Sequence, residues 1–159
     1  MKLIIMRHGT AEDFHADGDR SRELTSKGYE QSRRQARRLA GLGLLPSLVL
    51  SSPLMRCRQT AETFCAEAGI SGPMIQSWLA CGMSPETALE ELGAYSEFET
   101  LAVVGHEPDL SSLVAWITGS EGGSVRMKKA TIAVVALSPP SRRGTLELLL
   151  PAKQGLGSD

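Results

Sequence analysis

The stretch KLIIMRHGT, from Lys2 to Thr10, joins a continuous apolar run to a strongly polar turn. An apolar run of this length, without alternation, is typical of a strand that is buried on both faces of a parallel sheet. Arg7 and His8 stand at the carboxyl end of that strand, which is the favoured position of ligand sites in open α/β sheets. The stretch therefore predicts an α/β fold with a functional site where its first strand ends.

The rest of the chain repeats this pattern, because apolar strands alternate with segments of helical periodicity. Such alternation predicts layers of helices packed against one mostly parallel sheet. Polar loops follow the second and third strands as well, with Ser51-Ser52-Pro53 in one and Gly105-His106-Glu107 in the other. Three such loops can converge on one crevice. The predicted strands are Lys2–Met6, Leu48–Leu50, Leu101–Val104, Thr131–Leu137 and Leu146–Leu150.

Four segments have the periodicity and the terminal residues of helices. Thr25 can cap the first helix, and Ser51-Ser52-Pro53 supplies a capping serine and a first-turn proline for the second. Gly119 is suited to end the fourth helix. The predicted helices run from Thr25 to about Ala40, from Pro53 to about Ala68, from Ser84 to about Leu92 and from Pro108 to Gly119.

The length and the composition describe one ordinary globular domain. A chain of 159 residues is long enough to bury one continuous core and too short for two domains of usual size. We expect the domain to cover residues 1–151 and residues 152–159 to form a flexible tail. The formal net charge of −1 argues against a dedicated nucleic-acid-binding protein, which needs a basic surface.

The main charge run of the sequence lies in the first predicted helix. Most of its members fall away from the apolar stripe of that helix. We interpret the run as a solvated helix face and not as a docking surface, since the net charge gives docking no support. The run consists of Lys27, Arg33, Arg34, Arg37 and Arg38.

The three cysteines predict free thiols. Cys57, Cys65 and Cys81 are odd in number and form no Cys-x-x-Cys pair, and the first two fall on the apolar stripe of the second helix. Free thiols indicate a reducing, cytoplasmic location. The apolar run at the N-terminus is too short for a signal peptide or a membrane span, so we expect no membrane partner.

Two histidines and three arginines carry the predicted chemistry, and most of them follow a strand or begin a helix. An arginine side chain offers a planar fork of donors that matches phosphate oxygens, and it stays charged at any working pH. This combination predicts a site for a tetrahedral dianion. The residues are Arg7, His8, Arg22, Arg56 and His106.

Four short blocks resemble the histidine phosphatase superfamily, which includes the cofactor-dependent phosphoglycerate mutases and the acid phosphatases. Arg7-His8-Gly9-Thr10 resembles its RHG signature, and SSPLMRCRQTA, residues 51–61, resembles its SSPxxRxxQTA block. Val104-Gly105-His106 resembles its third block. Arg22-Glu23-Leu24-Thr25 is similar to the R-x-L-T block of its short phosphohistidine phosphatase branch, the SixA-like proteins. The blocks stand in family order along about two thirds of the chain.

This resemblance implies a fold and a set of roles. The fold would be a single-domain, three-layer α/β/α sandwich of the phosphoglycerate mutase-like type. His8 would be the nucleophile and would form a phosphohistidine intermediate that water then cleaves. The implied catalytic residues are His8, Arg7, Arg56, His106 and Glu107, and the implied substrate-binding residues are Arg22, Gly9 and Thr10.

The role of Glu107 stays open at this point. Some branches of the family place an acid directly after the second histidine, where it donates a proton to the leaving group, and others lack one. An imidazole leaving group, whose conjugate acid has a pKa of about 6.5, departs more easily than an alkoxide and can do without an acid. Glu107 then serves instead as a negative charge at a helix N-terminus.

Two other phosphatase chemistries fit the sequence poorly. A metal site from His8, His15, His106 and Asp13 lacks a carboxylate-rich constellation at strand ends, so we expect no metal, no other cofactor and activity that survives a chelator. A cysteine phosphatase loop needs Cys-x5-Arg. The residues six positions after the three cysteines are Thr63, Ser71 and Thr87, which excludes that loop.

The spacing of the blocks bears on the substrate. About fifty residues separate Arg56 from His106, which leaves no room for the large lid domain of the mutases and acid phosphatases. We therefore expect an open site that acts on phosphohistidine in a phosphotransfer domain or a phosphocarrier protein. The alternatives are a broad small-molecule phosphomonoesterase or mutase-like enzyme of the same fold and, from another class, a non-catalytic phosphate-binding module.

Overall fold

Strand β1, Lys2–Arg7, lies inside a six-stranded sheet, as its buried apolar run predicts. The computed structural model describes residues 1–153. The other strands are β2 Leu48–Ser51, β3 Met74–Ile75, β4 Thr100–Gly105, β5 Ile132–Ala136 and β6 Thr145–Leu150. The helices are α1 Ser26–Gly41, α2 Met55–Ala68, α3 Pro85–Gly93 and α4 Asp109–Thr118, and 3-10 turns span Asp19–Ser21 and Ser77–Leu79.

The strands follow the order β3-β2-β4-β1-β5-β6 across the sheet. The first four in that order pair in parallel, whereas β5 pairs antiparallel with both β1 and β6. The sheet is therefore mostly parallel, as predicted. Strand β3 escaped prediction because it is only 2 residues long and lies in a stretch of small residues without periodicity.

The register of the parallel strands places the polar loops side by side. Arg7 lies opposite Gly105, and Ser51 lies opposite Val104. The hydrogen-bond ladder continues into the loops, where the His8 N–H donates to the Gly105 carbonyl at 3.2 Å. The loops after β1, β2 and β4 therefore start at one edge of the sheet, which the sequence could only suggest.

A separate apolar core lies on each face of the sheet. Helices α1 and α2 cover one face, where Leu39 and Phe64 pack against β-strand residues such as Ile4. Helices α3 and α4 cover the other face, where Leu92 and Leu113 belong to the second core. The chain therefore forms the predicted three-layer α/β/α sandwich. Within residues 1–153, no helix is long and apolar enough to cross a membrane.

The ends of the helices agree with most of the predicted signals. Thr25 Oγ1 accepts the Gly28 N–H at 3.2 Å and caps α1, and Gly119 ends α4 in the left-handed region with a φ of 71°. The predicted start of α2 is wrong. That helix begins at Met55, and its N-cap residue is Leu54, whose apolar side chain cannot accept a hydrogen bond. The Ser52 hydroxyl lies before the helix and bonds the His106 ring.

The packed chain continues past the predicted domain boundary. Ala152 is 5% exposed and belongs to the core beneath α1 and α2. Its carbonyl accepts a hydrogen bond from Arg34 Nη1 at 3.2 Å. Ala152, the first residue of the predicted tail, is therefore packed against the domain, and residues 154–159 lie outside the described part of the chain.

Candidate active site

Two histidines follow the neighbouring strands β1 and β4. His8 and His106 are 6% and 3% exposed, and their ring centroids lie 5.6 Å apart in an edge-to-face arrangement. The in-register pairing of the two strands brings them together although they are distant in the sequence. They form the floor of the candidate site.

The imidazole of His8 is held in a form suited to nucleophilic attack. Its Nδ1 lies 2.7 Å from the Gly9 carbonyl oxygen, so the neutral ring donates its Nδ1–H there and keeps the lone pair on Nε2. Burial above all, together with the charges of Arg56, His106 and Arg7, lowers the pKa of His8 to about 3, although the hydrogen bond to Gly9 opposes this shift. The ring is therefore neutral near pH 7.

Ser52, which the sequence predicts as a helix-capping serine, orients His106. Ser52 Oγ lies 2.7 Å from His106 Nε2, and the same oxygen accepts the Leu54 N–H at 3.3 Å. Burial, followed by the charge of Arg56, lowers the pKa of His106 to about 4. Ser52 thus fixes the orientation of the second ring, and its place in the SSP block was the signal that could have revealed it.

Two arginines lie beside the histidines with donors to spare. Arg56 is 5% exposed, and Arg7 is anchored by its Nη1, which donates to the Met127 carbonyl at 3.0 Å. Within residues 1–153, the Nε atoms of both arginines are buried and have no hydrogen-bond partner. An unpaired buried donor is costly, so these guanidinium groups favour a bound anion.

The Asp19 carboxylate pairs with two arginines of the candidate site. Its Oδ1 lies 3.0 Å from Arg22 Nη1, and its Oδ2 lies 3.4 Å from Arg56 Nη2. The Arg56 Nη1 also donates to the Asp19 carbonyl at 3.0 Å. The hydrogen bond from Arg22, aided by the charge of Arg56, lowers the pKa of Asp19. An incoming phosphoryl group has to compete with this carboxylate.

These side chains surround one cavity of about 210 Å³ that opens to solvent. All the predicted site residues line it except Gly9 and Thr10. Two further lining residues, Cys81 and Lys129, were not predicted. The lining consists of Arg7, His8, Arg22, Arg56, Cys81, His106, Glu107 and Lys129.

Gly9 and Thr10 hold the loop instead of facing the cavity. The Gly9 N–H donates to Thr60 Oγ1 at 3.0 Å, and both the N–H and the hydroxyl of Thr10 donate to Gln31 Oε1. A Cβ on Gly9 would lie 2.8 Å from the Gly28 carbonyl oxygen, so the close approach requires glycine. Their predicted role in substrate binding has no support in this placement.

The second sequence block also secures the loop that carries Arg22. Gln59 Oε1 accepts the Leu24 N–H at 2.8 Å, and Gln59 Nε2 donates to Glu23 Oε1 at 3.2 Å. Gln59 of this block therefore positions the loop of Arg22, and Thr60 positions the loop of His8.

Glu107 lines the cavity and also serves α4. Its Oε1 accepts the Ser111 N–H at 2.8 Å, which satisfies one of the free donors in the first turn of the helix. Burial lowers the pKa of Arg7, and the charge of Glu107 partly offsets this effect. The helix N-terminal role is therefore present in the structure, and the role as proton donor stays a prediction.

The histidines do not combine into the metal site that the sequence analysis weighed. His15 lies outside the cavity, where its ring is 4.0 Å from Glu12 and 3.8 Å from Asp17. Ligand-type atoms of Glu12, His15 and Glu23 lie within 4.8 Å of one another. This surface group does not include either histidine of the cavity.

Comparison with known proteins agrees with this geometry. A model of the histidine phosphatase superfamily, branch 1, matches residues 3–79. The chain is 31% identical to the phosphohistidine phosphatase SixA of Escherichia coli, over 76% of each chain. It is 38% identical to an uncharacterized protein of Picosynechococcus, over 83% of this chain and 82% of the relative.

A solved structure extends the similarity over nearly the whole chain. The protein histidine phosphatase SixA complexed with tungstate superposes with a TM-score of 0.87 at 28% identity, covering 96% of this chain and 97% of that one. Its phosphoglycerate mutase-like fold is the fold described above. The relatives support phosphatase activity, that is, a hydrolase. This chain belongs to the histidine phosphatase superfamily and, within it, to the SixA-like branch.

Proposed function

We propose that this chain removes phosphoryl groups from phosphohistidine side chains of proteins through a phosphorylated His8. The proposal rests on the state and the place of the His8 ring. This imidazole is neutral with an unprotonated Nε2, and it lies in a cavity lined by arginines. The nucleophile and the charge-stabilising groups therefore line the same cavity. The relation to phosphohistidine phosphatase SixA supports the choice of substrate.

The reaction has two displacements at phosphorus. His8 Nε2 forms a bond to phosphorus while the P–N bond to the substrate imidazole breaks, and the electron pair of that bond passes to the leaving ring nitrogen, which takes up a proton. Water then attacks phosphorus, the His8–phosphorus bond breaks, and inorganic phosphate leaves. Because imidazole is a good leaving group, the proton can come from solvent, although Glu107 lines the same cavity.

The arginines supply the electrostatic part of the mechanism. Arg7 and Arg56 flank the histidines, and the charges of both act on the two rings. Such groups stabilise the negative charge that spreads over the equatorial oxygens in the transition state. His106, which Ser52 orients, is the further donor to a phosphoryl oxygen. No step requires a metal, so we expect activity in the presence of EDTA.

The open cavity favours a macromolecular substrate over an enclosed sugar phosphate. Only β3, the 3-10 turn Ser77–Leu79, α3 and short connections lie between α2 and β4, so this segment contains no large lid domain. A histidine that projects from the surface of a folded protein can enter such a site. A small phosphate ester would gain little binding energy there, since an open cavity encloses little of its non-phosphoryl part.

The test uses a phosphotransfer domain labelled with radioactive phosphate on histidine. We expect the wild-type chain to release inorganic phosphate and to carry a transient acid-labile label, and His8→Ala to do neither. Arg37→Ala, on the exposed face of α1, is the matched control and should retain turnover. Equal or faster hydrolysis of simple phosphomonoesters would favour the small-molecule alternative, and phosphate binding without turnover would favour the binding module.

A further inference from the structure

Lys129 lies at the cavity on a turn that is tied to the nucleophile. The next residue, Ala130, donates its N–H to the His8 carbonyl at 3.0 Å and has a positive φ of 56°, which is uncommon outside glycine. The Thr131 N–H donates to the Lys128 carbonyl at 3.0 Å and closes the turn. The backbone that carries Lys129 is therefore fixed relative to His8.

The same turn is anchored to a catalytic-site arginine. Arg7 Nη1 donates to the carbonyl of Met127, whose side chain is 1% exposed. The Ala130 carbonyl accepts a hydrogen bond from Gln35 Nε2 at 2.7 Å. With buried residues on both sides, the turn presents Lys129 to the cavity mouth as a built feature, unlike a lysine on a free surface loop.

The lysine lies outside the innermost part of the site. The charges of Arg7 and Arg56 act on both His8 and His106, whereas Lys129 interacts instead with the arginines and with Asp13. Its side chain is partly exposed, while His8 and Arg56 are buried. The cavity therefore has an inner phosphoryl-binding part and an outer cation beside it.

Lys129 differs from two of the cavity arginines in its ion pairs. Arg22 and Arg56 both pair with the Asp19 carboxylate. None of the ion pairs formed within residues 1–153 includes Lys129. The Asp13 carboxylate acts on Lys129 electrostatically but forms no ion pair with it. The Lys129 ammonium, which lines the cavity, is therefore available to an anionic group of the substrate.

We propose that Lys129 is a specificity-determining residue that pairs with a carboxylate next to the phosphohistidine on the substrate protein. The proposal rests on the proposed function. A phosphoryl group carries at most two negative charges, and the inner arginines already match them. The flexible four-carbon stem of lysine suits a carboxylate whose position varies among partners, where an arginine fork would demand one geometry.

The experiment uses two synthetic phosphohistidine peptides that differ only by Glu or Gln beside the phosphorylated residue. We expect the wild-type chain to hydrolyse the Glu peptide with about a threefold to fivefold higher kcat/KM, the range of a partly solvated ion pair. Lys129→Gln should abolish this preference, Lys129→Glu should reverse it, and Lys129→Arg should keep it. The matched control is Lys128→Gln, which changes an exposed lysine outside the cavity lining and should keep the preference.

The outcomes separate the inference from the function on which it rests. If the wild-type chain hydrolyses both peptides equally, or if Lys129→Gln keeps the preference, the role of Lys129 is refuted and the phosphohistidine activity stands. If the wild-type chain hydrolyses neither peptide nor a phosphotransfer domain, the proposed function itself fails. Thermal unfolding midpoints close to wild type show that the variants are folded when they are compared.

Discussion

Two groups of arginines in this molecule have opposite surroundings. On the exposed face of α1, Arg37 is paired through its Nε with Glu67 at 2.6 Å and lies 3.6 Å from Glu30. In the cavity, Arg7 and Arg56 are held by a few contacts while their Nε atoms stay buried and unpaired within residues 1–153. Burial and unpaired N–H donors, and not the number of arginines, therefore distinguish an anion-binding site from a basic surface.

The arginines of α1 do more than form a solvated helix face. Arg34 Nη1 donates to the Ala152 carbonyl, and Arg38 Nη1 donates to the Pro151 carbonyl. These two arginines attach the segment after β6 to the helix, so part of the basic run has a structural task. The interpretation of the run as a solvated face therefore holds for Arg37 and is incomplete for Arg34 and Arg38.

The largest expected effect comes from removing a cavity arginine and comparing it with its surface counterpart. Arg56→Ala should lower kcat/KM for a phosphohistidine substrate about 10³-fold, because it removes charge that stabilises the transition state. Arg37→Ala should change the same constant less than about twofold, since exposed ion pairs contribute little. Steady-state kinetics of both variants measure the contrast, and similar losses in the two would contradict it.

A second prediction concerns pH, because burial, together with the charges of the cavity arginines, keeps the two histidines neutral. The pKa values of His8 and His106 are lowered from 6.5 to about 3 and about 4. Below pH 6.5 the unfolded chain binds protons at these positions and the folded chain does not. Stability is therefore unaffected by them above pH 6.5 and falls below it, by up to about 1.4 kcal/mol per pH unit for each histidine.

Urea unfolding at pH 7, 6 and 5 tests this slope. His106→Gln should reduce the loss of stability between pH 6 and pH 5, because one of the two buried rings no longer titrates in the unfolded state. Arg37→Ala is the control, because an arginine does not titrate between pH 7 and pH 5 and its removal from the exposed face of α1 should leave the slope unchanged. If His106→Gln leaves the slope unaltered, the His106 ring does not contribute to the dependence of stability on pH.

The smallest expected effect concerns the carboxylate that occupies the cavity arginines. Asp19→Asn removes the charge that pairs with Arg22 and Arg56, so inorganic phosphate should bind about threefold more tightly as a competitive inhibitor. Asp17→Asn, which alters an exposed carboxylate near His15, should leave the inhibition constant unchanged. Weaker phosphate binding in Asp19→Asn would mean that Asp19 orients the arginines more than it competes with the ligand.

Much of the fold was predictable because its signals are local. The buried strands, the Thr25 cap and the Gly119 helix end all depend on a few neighbouring residues and were confirmed. The short edge strand β3 and the start of α2 were not predictable. At β3 the pairing with β2 decides the conformation. At α2 the expected capping serine, Ser52, lies before the helix and bonds His106, while Leu54 is the N-cap residue.

The candidate site was predictable in its residue types and only partly in its geometry. Four ordered blocks were enough to nominate His8, Arg56 and His106, and these residues line one cavity. Gly9 and Thr10 were nominated with them but turn into the loop instead. A motif records that residues recur together and does not distinguish a side chain that faces a ligand from one that holds the backbone in place.

By itself, the sequence determined the alternation of strands and helices, the apolar faces and the order of the polar blocks, since each follows from short-range periodicity and residue chemistry. Only the tertiary structure decided that Ser52 orients His106, that Asp19 occupies the arginines and that Lys129 lies at the cavity mouth. These contacts join segments that are far apart in the chain. Strand register and turn geometry create them, and neither leaves a periodic signal in the sequence.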